Sequence, residues 1–325
     1  MRKQPSSVEV CAGAGGQALG LEEAGFRHEV LVELDKDCCN TLRTNRSGWR
    51  VEQQDLVHFD GRPYRGVELL AGGVPCPPFS VAGKQLGHRD ERDLFPTAIR
   101  LVDEIRPKAV MFENVKGFLS PRFEPYRKRL FRTFAQLGYR SNIRLINASD
   151  HGLPQLRPRV VIVALRPDLA DHFNWPEPAC LPPPTVGETL ADLMRSRGWA
   201  GWKDWAAKAD SVAPTIVGGS KKHGGADLGP TRAKEAWAKL GVNGRLVERE
   251  APGPDHEGAP YLTVRMVARL QGFPDNWVFT GSKTTQYRQV GNAFPPPVAQ
   301  AVGEALRLAL DRSAKRTIHL SRNVP

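Results

Sequence analysis

The chain has 325 residues, of which 40% are hydrophobic and 25% are charged. These values are ordinary for a globular protein, and the length suffices for one large domain or for a large domain with a smaller one. No apolar run is long enough for a transmembrane helix, and the polar residues before Val8 contain no signal-peptide core, so we expect no membrane association. The formal net charge of +11 favours a polyanionic partner such as nucleic acid.

Strands and helices alternate through the first half of the chain. Apolar, β-branched runs predict strands at residues 8–10, 30–34, 67–71, 109–112 and 160–165, and a helical pattern follows the first strand as far as Ala24. Strands that alternate with helices favour an α/β fold, with a mostly parallel sheet covered by helices on both faces.

The character of the chain changes after about residue 175. Residues 176–184 are proline-rich and predict a linker, and the next stretch, to about residue 261, is rich in glycine, tryptophan, lysine and arginine. We expect a smaller domain of short strands and loops there, with most of its tryptophans packed in its core. A helical pattern returns at residues 293–310 and is expected to pack on the first domain. The predicted division is therefore 1–178, 179–287 and 288–325.

The five cysteines are odd in number, and no pair has Cys-x-x-Cys spacing; they are Cys11, Cys38, Cys39, Cys76 and Cys180. This pattern argues against a disulfide framework and against a zinc site, and we expect no metal. Free thiols suit a reducing cytoplasm, and one of them could carry chemistry.

A glycine-rich turn directly follows the first predicted strand. Gly13, Gly15 and Ala18 fit the spacing G-x-G-x-x-A, in a run that also contains Gly16. Glu33 ends the next strand about twenty residues on. Such a turn lets the backbone approach a ligand, and the acid can accept hydrogen bonds from ribose hydroxyls. The pattern indicates an adenosine-type cofactor without deciding between NAD and S-adenosylmethionine; the alternative is a glycine turn that binds nothing.

A proline-flanked cysteine follows the strand at residues 67–71. Cys76 lies between Pro75 and Pro77, on a loop at the carboxyl end of a sheet strand, where α/β proteins bind ligands. Because the prolines restrict the loop, they would hold the thiol in position. We interpret Cys76 as a nucleophile, with an inert loop cysteine as the alternative.

Two further motifs place charged residues near strand ends. Glu113 directly follows the predicted strand at residues 109–112. It could act as a general acid or base, or it could only cap a helix. Arg157 and Arg159 alternate just before the last strand and could hold a carboxylate or phosphate, or form a solvated basic turn.

Together and in this order, these four motifs resemble those of the DNA cytosine-5 methyltransferases of bacterial restriction–modification systems. The resemblance covers residues 9–26, 72–95, 112–118, 155–165, 265–275 and 289–298. It implies a Rossmann-like, S-adenosylmethionine-dependent methyltransferase domain completed by the C-terminal helix, with a smaller target-recognition domain.

The resemblance also implies roles for the catalytic residues. Cys76 would attack C6 of a target cytosine flipped out of the duplex, and Glu113 would protonate N3. Arg159 would hold the cytosine O2 and orient Glu113, and Arg157 would steady the catalytic loop or a nearby phosphate.

The cofactor pocket implied by the resemblance consists of Ala12, Gly13, Gly15, Gly16, Glu33, Leu34, Asp55, Leu56, Pro75, Leu94 and Asn292. Two positions depart from the family pattern. Cys11 stands where the family usually has Phe, and Leu34 occupies a place that is often aromatic.

The implied partner is double-stranded DNA. The residues expected to contact it are Ser80, Lys84, Gln85, Thr215, Lys221, Lys222 and His223. The family type further implies a monomeric, DNA-associated protein of the bacterial cytoplasm, with a cognate restriction endonuclease acting on the same site.

Three alternatives remain open at this point. A tRNA cytosine-5 methyltransferase would share the catalytic motifs, although the Cys-Phe-Thr element of that branch is not found here. A nicotinamide dehydrogenase would leave the Pro-Cys-Pro-Pro loop unexplained. A DNA-binding module without activity would not need Cys76, Glu113 and Arg159 together.

Overall fold

The computed structural model describes residues 4–75, 93–220 and 225–322. The strands in these segments are β1 (Ser6–Val10), β2 (Arg27–Glu33), β3 (Val51–Gln53), β4 (Leu69–Gly72), β5 (Ala109–Val115), β6 (Arg140–Asn147), β7 (Pro158–Leu165), β8 (Val247–Glu248) and β9 (Leu262–Thr263). The helices are α1 (Gly16–Glu23), α2 (Lys36–Asn45), α3 (Phe95–Ile105), α4 (Glu124–Gln136), α5 (Pro167–Ala170), α6 (Val186–Arg195), α7 (Trp202–Lys208), α8 (Thr231–Lys239), α9 (Val264–Leu270), α10 (Lys283–Asn292) and α11 (Pro296–Arg322).

Seven strands form one sheet in the order β3-β2-β1-β4-β5-β7-β6. The first five strands are parallel to one another, and β7 runs antiparallel to both β5 and β6. The predicted α/β class is thus confirmed, and each of the five predicted strands is present. The chain order reverses between β1 and β4, and open α/β sheets bind ligands in the crevice at such a point.

Helices cover both faces of the sheet. On one face, α1 packs against α11 so closely that a Cβ at Gly20 would lie 2.2 Å from the Pro296 carbonyl oxygen. On the other face, Phe95 of α3 and Phe134 of α4 pack around Phe112 of β5. The C-terminal helix predicted from the apolar spacing is therefore present and returns to the sheet, as expected.

The stretch after residue 184 contains the short strand β8, but the expectation that short strands and loops would make up this stretch was wrong. Helices α6, α7 and α8 dominate the stretch, and α6 begins with a capping box in which Thr185 and Glu188 each bond the other's backbone amide, at 3.1 and 2.7 Å. Since Leu190 and Met194 are buried four residues apart, the apolar face follows a helical period. Trp199, Trp205 and Trp237 are buried, which confirms the prediction that most of these tryptophans pack in a core; the group lies in the core cluster that also contains Leu190.

The predicted boundary between residues 287 and 288 falls inside α10, and the division into 1–178, 179–287 and 288–325 stays a prediction. Among the helices described, none combines the length and the apolar character needed to cross a membrane.

Candidate active site

A cavity of about 480 Å³ opens at the carboxyl ends of β1, β2, β4 and β5. Of the predicted cofactor residues, those that line it are Ala12, Gly13, Gly16, Glu33, Leu34, Asp55, Leu56, Pro75, Leu94 and Asn292. Parallel strands bring most of these residues together although they are far apart along the chain, because their loops leave the same edge of the sheet. Asn292 comes from the C-terminal end of α10. The volume is within the range of small-molecule sites.

Three backbone amides fix the carboxylate of Glu33 in this cavity. One oxygen accepts a hydrogen bond from Gly13 N at 2.7 Å, and the other accepts from Leu34 N and Asp35 N, both at 2.8 Å. A carboxylate oxygen still has room for a further donor after such contacts, so Glu33 can also accept from a ribose hydroxyl. This preorganised acid beside a glycine turn fits an adenosine-type cofactor such as S-adenosylmethionine.

The second acid, Asp55, sits at the start of a short 3₁₀ turn. Its Oδ1 accepts a hydrogen bond from Val57 N at 3.0 Å, and both Asp55 and the neighbouring Leu56 face the cavity. The side chain therefore has a fixed direction, and its other oxygen can accept from an amino group such as that of adenine.

Gly15 differs from the other glycines of the turn because it does not line the cavity. A Cβ there would lie 2.6 Å from the Leu42 side chain, and its φ of +86° belongs to the left-handed region that favours glycine. Its role is to let the turn pack on α2.

Cys11 and Leu34, the two departures from the family pattern, both lie at the cavity. Leu34 is 63% exposed at its mouth. Burial raises the pKa of the Cys11 thiol, and the nearby carboxylates of Glu33 and Asp55 raise it further, so the thiol stays protonated. Cys11 is therefore a neutral wall residue.

Glu113 and Arg159 form an ion pair at the wall of the cavity. Arg159 Nε lies 2.9 Å from Glu113 Oε1, and each side chain is 13% exposed. Burial raises the pKa of Glu113 above its ordinary value, while Arg159 and then Arg157 act in the opposite direction. A carboxyl group with a raised pKa is suited to hold and donate a proton.

Arg157 is fully buried. Its guanidinium donates to the carbonyl oxygens of Ile216 at 2.6 Å, Gly291 at 2.7 Å and Ala293 at 2.9 Å. These bonds join Ile216 to the C-terminal end of α10. The predicted role of Arg157 at the catalytic loop or at a nearby phosphate stays a prediction.

Three amide side chains for which the sequence analysis assigned no role hold the same region together. Asn114 Nδ2 donates to the Val74 carbonyl at 3.1 Å, two residues before Cys76. Gln155 accepts from Ile216 N at 3.0 Å and donates to Gln271 Oε1 at 2.6 Å. Asn114 directly follows Glu113, and Gln155 lies two residues before Arg157. Their positions beside these predicted catalytic residues were the signal available in the sequence.

Some of the predicted functional residues lie outside the described residues; they are Cys76, Ser80, Lys84, Gln85, Lys221, Lys222 and His223. Of the DNA-contact predictions, Thr215 is described, and its hydroxyl donates to the Leu156 carbonyl oxygen. This bond secures residues 213–216 alongside the strand that carries Arg159.

The cavity wall also contains residues that the sequence analysis did not assign. Gly219 and Ser220 come from the segment that precedes Lys221, and Arg288 comes from α10, one turn before Asn292. Asn292 Nδ2 donates to the Gly219 carbonyl oxygen at 3.2 Å, so this segment closes one side of the cavity.

The family model for C-5 cytosine-specific DNA methylases matches residues 6–307. The chain belongs to this family. It is accordingly a DNA cytosine-5 methyltransferase, and the tRNA alternative is not favoured.

Two similar members of this class span nearly the whole chain. The type II methyltransferase M.NaeI of Lentzea aerocolonigenes is 56% identical over 310 residues, which cover 94% of this chain and 75% of that protein. The type II methyltransferase M.NgoMIV of Neisseria gonorrhoeae is 52% identical over 312 residues, which cover 95% and 99% of the two chains.

Solved structures of methyltransferases share the fold. The Entamoeba histolytica methyltransferase EhMeth superposes with a TM-score of 0.66 at 16% identity, over 94% of this chain and 98% of that one. The Schizosaccharomyces pombe Dnmt2 methyltransferase gives a TM-score of 0.62 at 17% identity, over 95% and 99%. At such identities the likeness concerns the fold alone.

Proposed function

We propose that this methyltransferase transfers the methyl group of S-adenosylmethionine to C5 of one cytosine in a specific duplex DNA sequence, through a covalent bond between Cys76 and C6. The observation that carries the proposal is the Glu113–Arg159 ion pair, which lies at the wall of the cavity that contains Glu33 and Pro75. The acid-base pair, the cofactor acid and the residue before the nucleophile thus share one site.

The residues of the cavity fit S-adenosylmethionine, which supplies an electrophilic methyl group. Glu33 would accept hydrogen bonds from the ribose hydroxyls, and Asp55 would accept from the adenine amino group. The turn at Gly13 and Gly16 would face the methionine part, with Asn292 on the opposite wall.

The chain's own residues supply the activation that cytosine needs. C5 is a poor nucleophile until the Cys76 thiolate adds to C6, and Glu113 then donates its proton to N3 as charge develops there. Arg159 would hold the cytosine O2 and keep Glu113 in place. Methyl transfer to C5, which would leave S-adenosylhomocysteine, would be followed by loss of the C5 proton to a base. The C6–sulfur bond would then break, Cys76 would leave as a thiolate, and N3 would return its proton to Glu113.

The target cytosine would have to leave the duplex to reach this site. Glu113 is only 13% exposed at the wall of a cavity, and a stacked base cannot enter a cavity of this kind. Extrusion costs a few kcal/mol, and the cost is smallest when the partner base is mismatched or absent. The net charge of +11 would attract the DNA phosphates.

Two similar proteins are named as type II methyltransferases. We therefore propose that the chain works within a restriction–modification system, with an endonuclease that cleaves the same unmethylated sequence. Ser80, Lys84, Gln85 and Lys221, Lys222, His223 remain the proposed DNA contacts.

A covalent trap tests the proposal. Duplex DNA that carries 5-fluorocytosine at the target, incubated with S-adenosylmethionine, should form a denaturation-resistant adduct, since fluorine cannot leave as a proton does. Cys76→Ala should abolish the adduct and the methylation. Cys180→Ala is the matched control because Cys180 is an exposed free thiol away from the cavity lining. Methylation that survives in Cys76→Ala would refute the mechanism.

A further inference from the structure

The cavity has an uneven distribution of charge. Its described lining contains the four acids Glu33, Asp35, Asp55 and Glu113, but among lysines and arginines only Arg288. Acids suit the cationic sulfonium and amino groups of S-adenosylmethionine. Its carboxylate needs a donor or a cation, and a guanidinium can bind a carboxylate through two parallel hydrogen bonds.

Arg288 lies where such a contact is possible. It is part of α10, four residues before Asn292, so the two side chains occupy the same helix face, and both line the cavity. Gly218 packs on this face so closely that a Cβ there would lie 2.6 Å from both the Arg288 carbonyl oxygen and Asn292 Oδ1. The segment that contains Gly218 is therefore packed directly on the part of α10 that carries Arg288 and Asn292.

The guanidinium is half-buried and is not engaged elsewhere. Among the residues that the structure describes, no hydrogen bond or ion pair holds it, in contrast to Arg157 and Arg159. It faces α2 closely enough for its charge to oppose the effects of burial and nearby acids that raise the pKa of the Cys38 thiol. Arg288 thus contributes to the cavity lining a cation that no described residue pairs with.

We propose that Arg288 binds the carboxylate of the methionine part of S-adenosylmethionine and makes the site select for cofactors that carry this group. The inference rests on the proposed use of S-adenosylmethionine. Arg288 acts as a binding residue, and it takes no part in the bond changes at the base.

Calorimetry without DNA tests this assignment with two probes, S-adenosylhomocysteine and its decarboxylated analogue. The wild type should prefer S-adenosylhomocysteine. Arg288→Gln should weaken its binding about tenfold, as expected for one charge-assisted contact at a half-exposed site, and should leave the analogue's affinity unchanged. Arg288→Lys should retain part of the preference. Lys283→Gln is the matched control, because it removes a cation from the same helix outside the cavity lining.

Three results would overturn the inference. Arg288→Gln could keep the full preference, it could weaken both probes equally, or it could leave both unchanged while lowering DNA affinity and the salt dependence of DNA binding, as expected for a phosphate contact. Thermal unfolding of each variant verifies that it is folded. If the wild type binds neither probe, the proposed function itself fails, which is a different outcome from a wild type that binds both equally.

Discussion

Arg159 and Glu113 are held together by neighbouring strands of the sheet. Arg159 pairs with Val115 in the antiparallel ladder between β7 and β5, two residues from Glu113, and Arg159 Nε lies 2.9 Å from Glu113 Oε1. Residues two apart on a strand point to the same face, so the backbone sets the direction of both side chains. The ion pair therefore forms without any contribution from a ligand.

Removing this arginine should affect catalysis far more than folding. Arg159→Ala should lower the single-turnover rate of methyl transfer by about 10²–10³-fold, the loss expected when one preorganised group that stabilises developing charge is removed. The pKa of Glu113 should rise further, because the charge that opposes the effect of burial is lost. Affinity for S-adenosylhomocysteine should not change. Arg144→Ala, on the exposed edge of the sheet, is the control, and an unchanged rate in Arg159→Ala would contradict the assignment.

The neighbouring arginine should show the opposite behaviour. Arg157→Ala would leave the carbonyl oxygens of Ile216, Gly291 and Ala293 without their donor and should lower the free energy of unfolding by about 3 kcal/mol. Arg157→Lys should recover only part of this loss, since lysine lacks the planar fork. Urea unfolding measures both. Equal stabilities of Arg157→Ala and the wild type would show that the three hydrogen bonds from Arg157 to carbonyl oxygens contribute nothing to the free energy of unfolding.

A buried acid on β1 should make stability depend on pH. Glu9 is fully buried, and burial raises its pKa well above the usual value. Because the folded-state pKa is the higher one, the stabilisation is complete below the unfolded pKa of about 4.3 and is lost as the pH rises through the folded value.

Glu9→Gln should remove this dependence. Urea unfolding of both proteins from acidic to neutral pH should show a stability difference that shifts in favour of the variant as the pH rises, by up to about 1.4 kcal/mol per pH unit. A difference that stays constant over this range would mean that Glu9 is ionised in the folded protein.

A methyl group added at Gly291 tests the contact between α10 and the segment that contains Gly218. A Cβ at Gly291 would lie 2.4 Å from the backbone N and Cα of Gly218, so Gly291→Ala must move one of two backbones at the cavity wall. The specificity constant for methylation should fall by about 10²-fold, as for a displacement of about 1 Å at an active site. Gly48→Ala, where a Cβ meets no atom within 4 Å, should have no effect in the same assay.

The sequence indicated the parallel part of the sheet and the composition of most of the cavity, because buried strands have continuous apolar runs and the ligand-binding loops follow directly after them. It did not indicate β6, an edge strand on which Arg140 and Arg144 are exposed, so that polar residues mask the alternation. It did not indicate β3 either, which has only three residues.

The tertiary partners of the arginines could not be predicted from their spacing. Arg157 and Arg159 belong to one motif and look equivalent in the sequence, yet one contacts three carbonyl groups and the other a carboxylate. The carbonyls of Ile216 and Gly291 come from distant segments, and only the folded chain brings them to Arg157. For the same reason Arg288 could not be recognised as a cavity residue.

The pairing of β1 with β4 fixes the distance between two loops of the site. The glycine turn leaves the end of β1, and the loop that leads to Cys76 leaves the end of β4, and these strands are hydrogen-bonded neighbours. The separation between the two origins is thus the spacing of a β-ladder, about 5 Å, which no side chain determines. Among the residues that the structure describes after residue 178, none adds a strand to this sheet. If the proposed function holds, substitutions in α6, α7 and α8, which lie outside both this sheet and the cavity lining, would leave this separation unchanged.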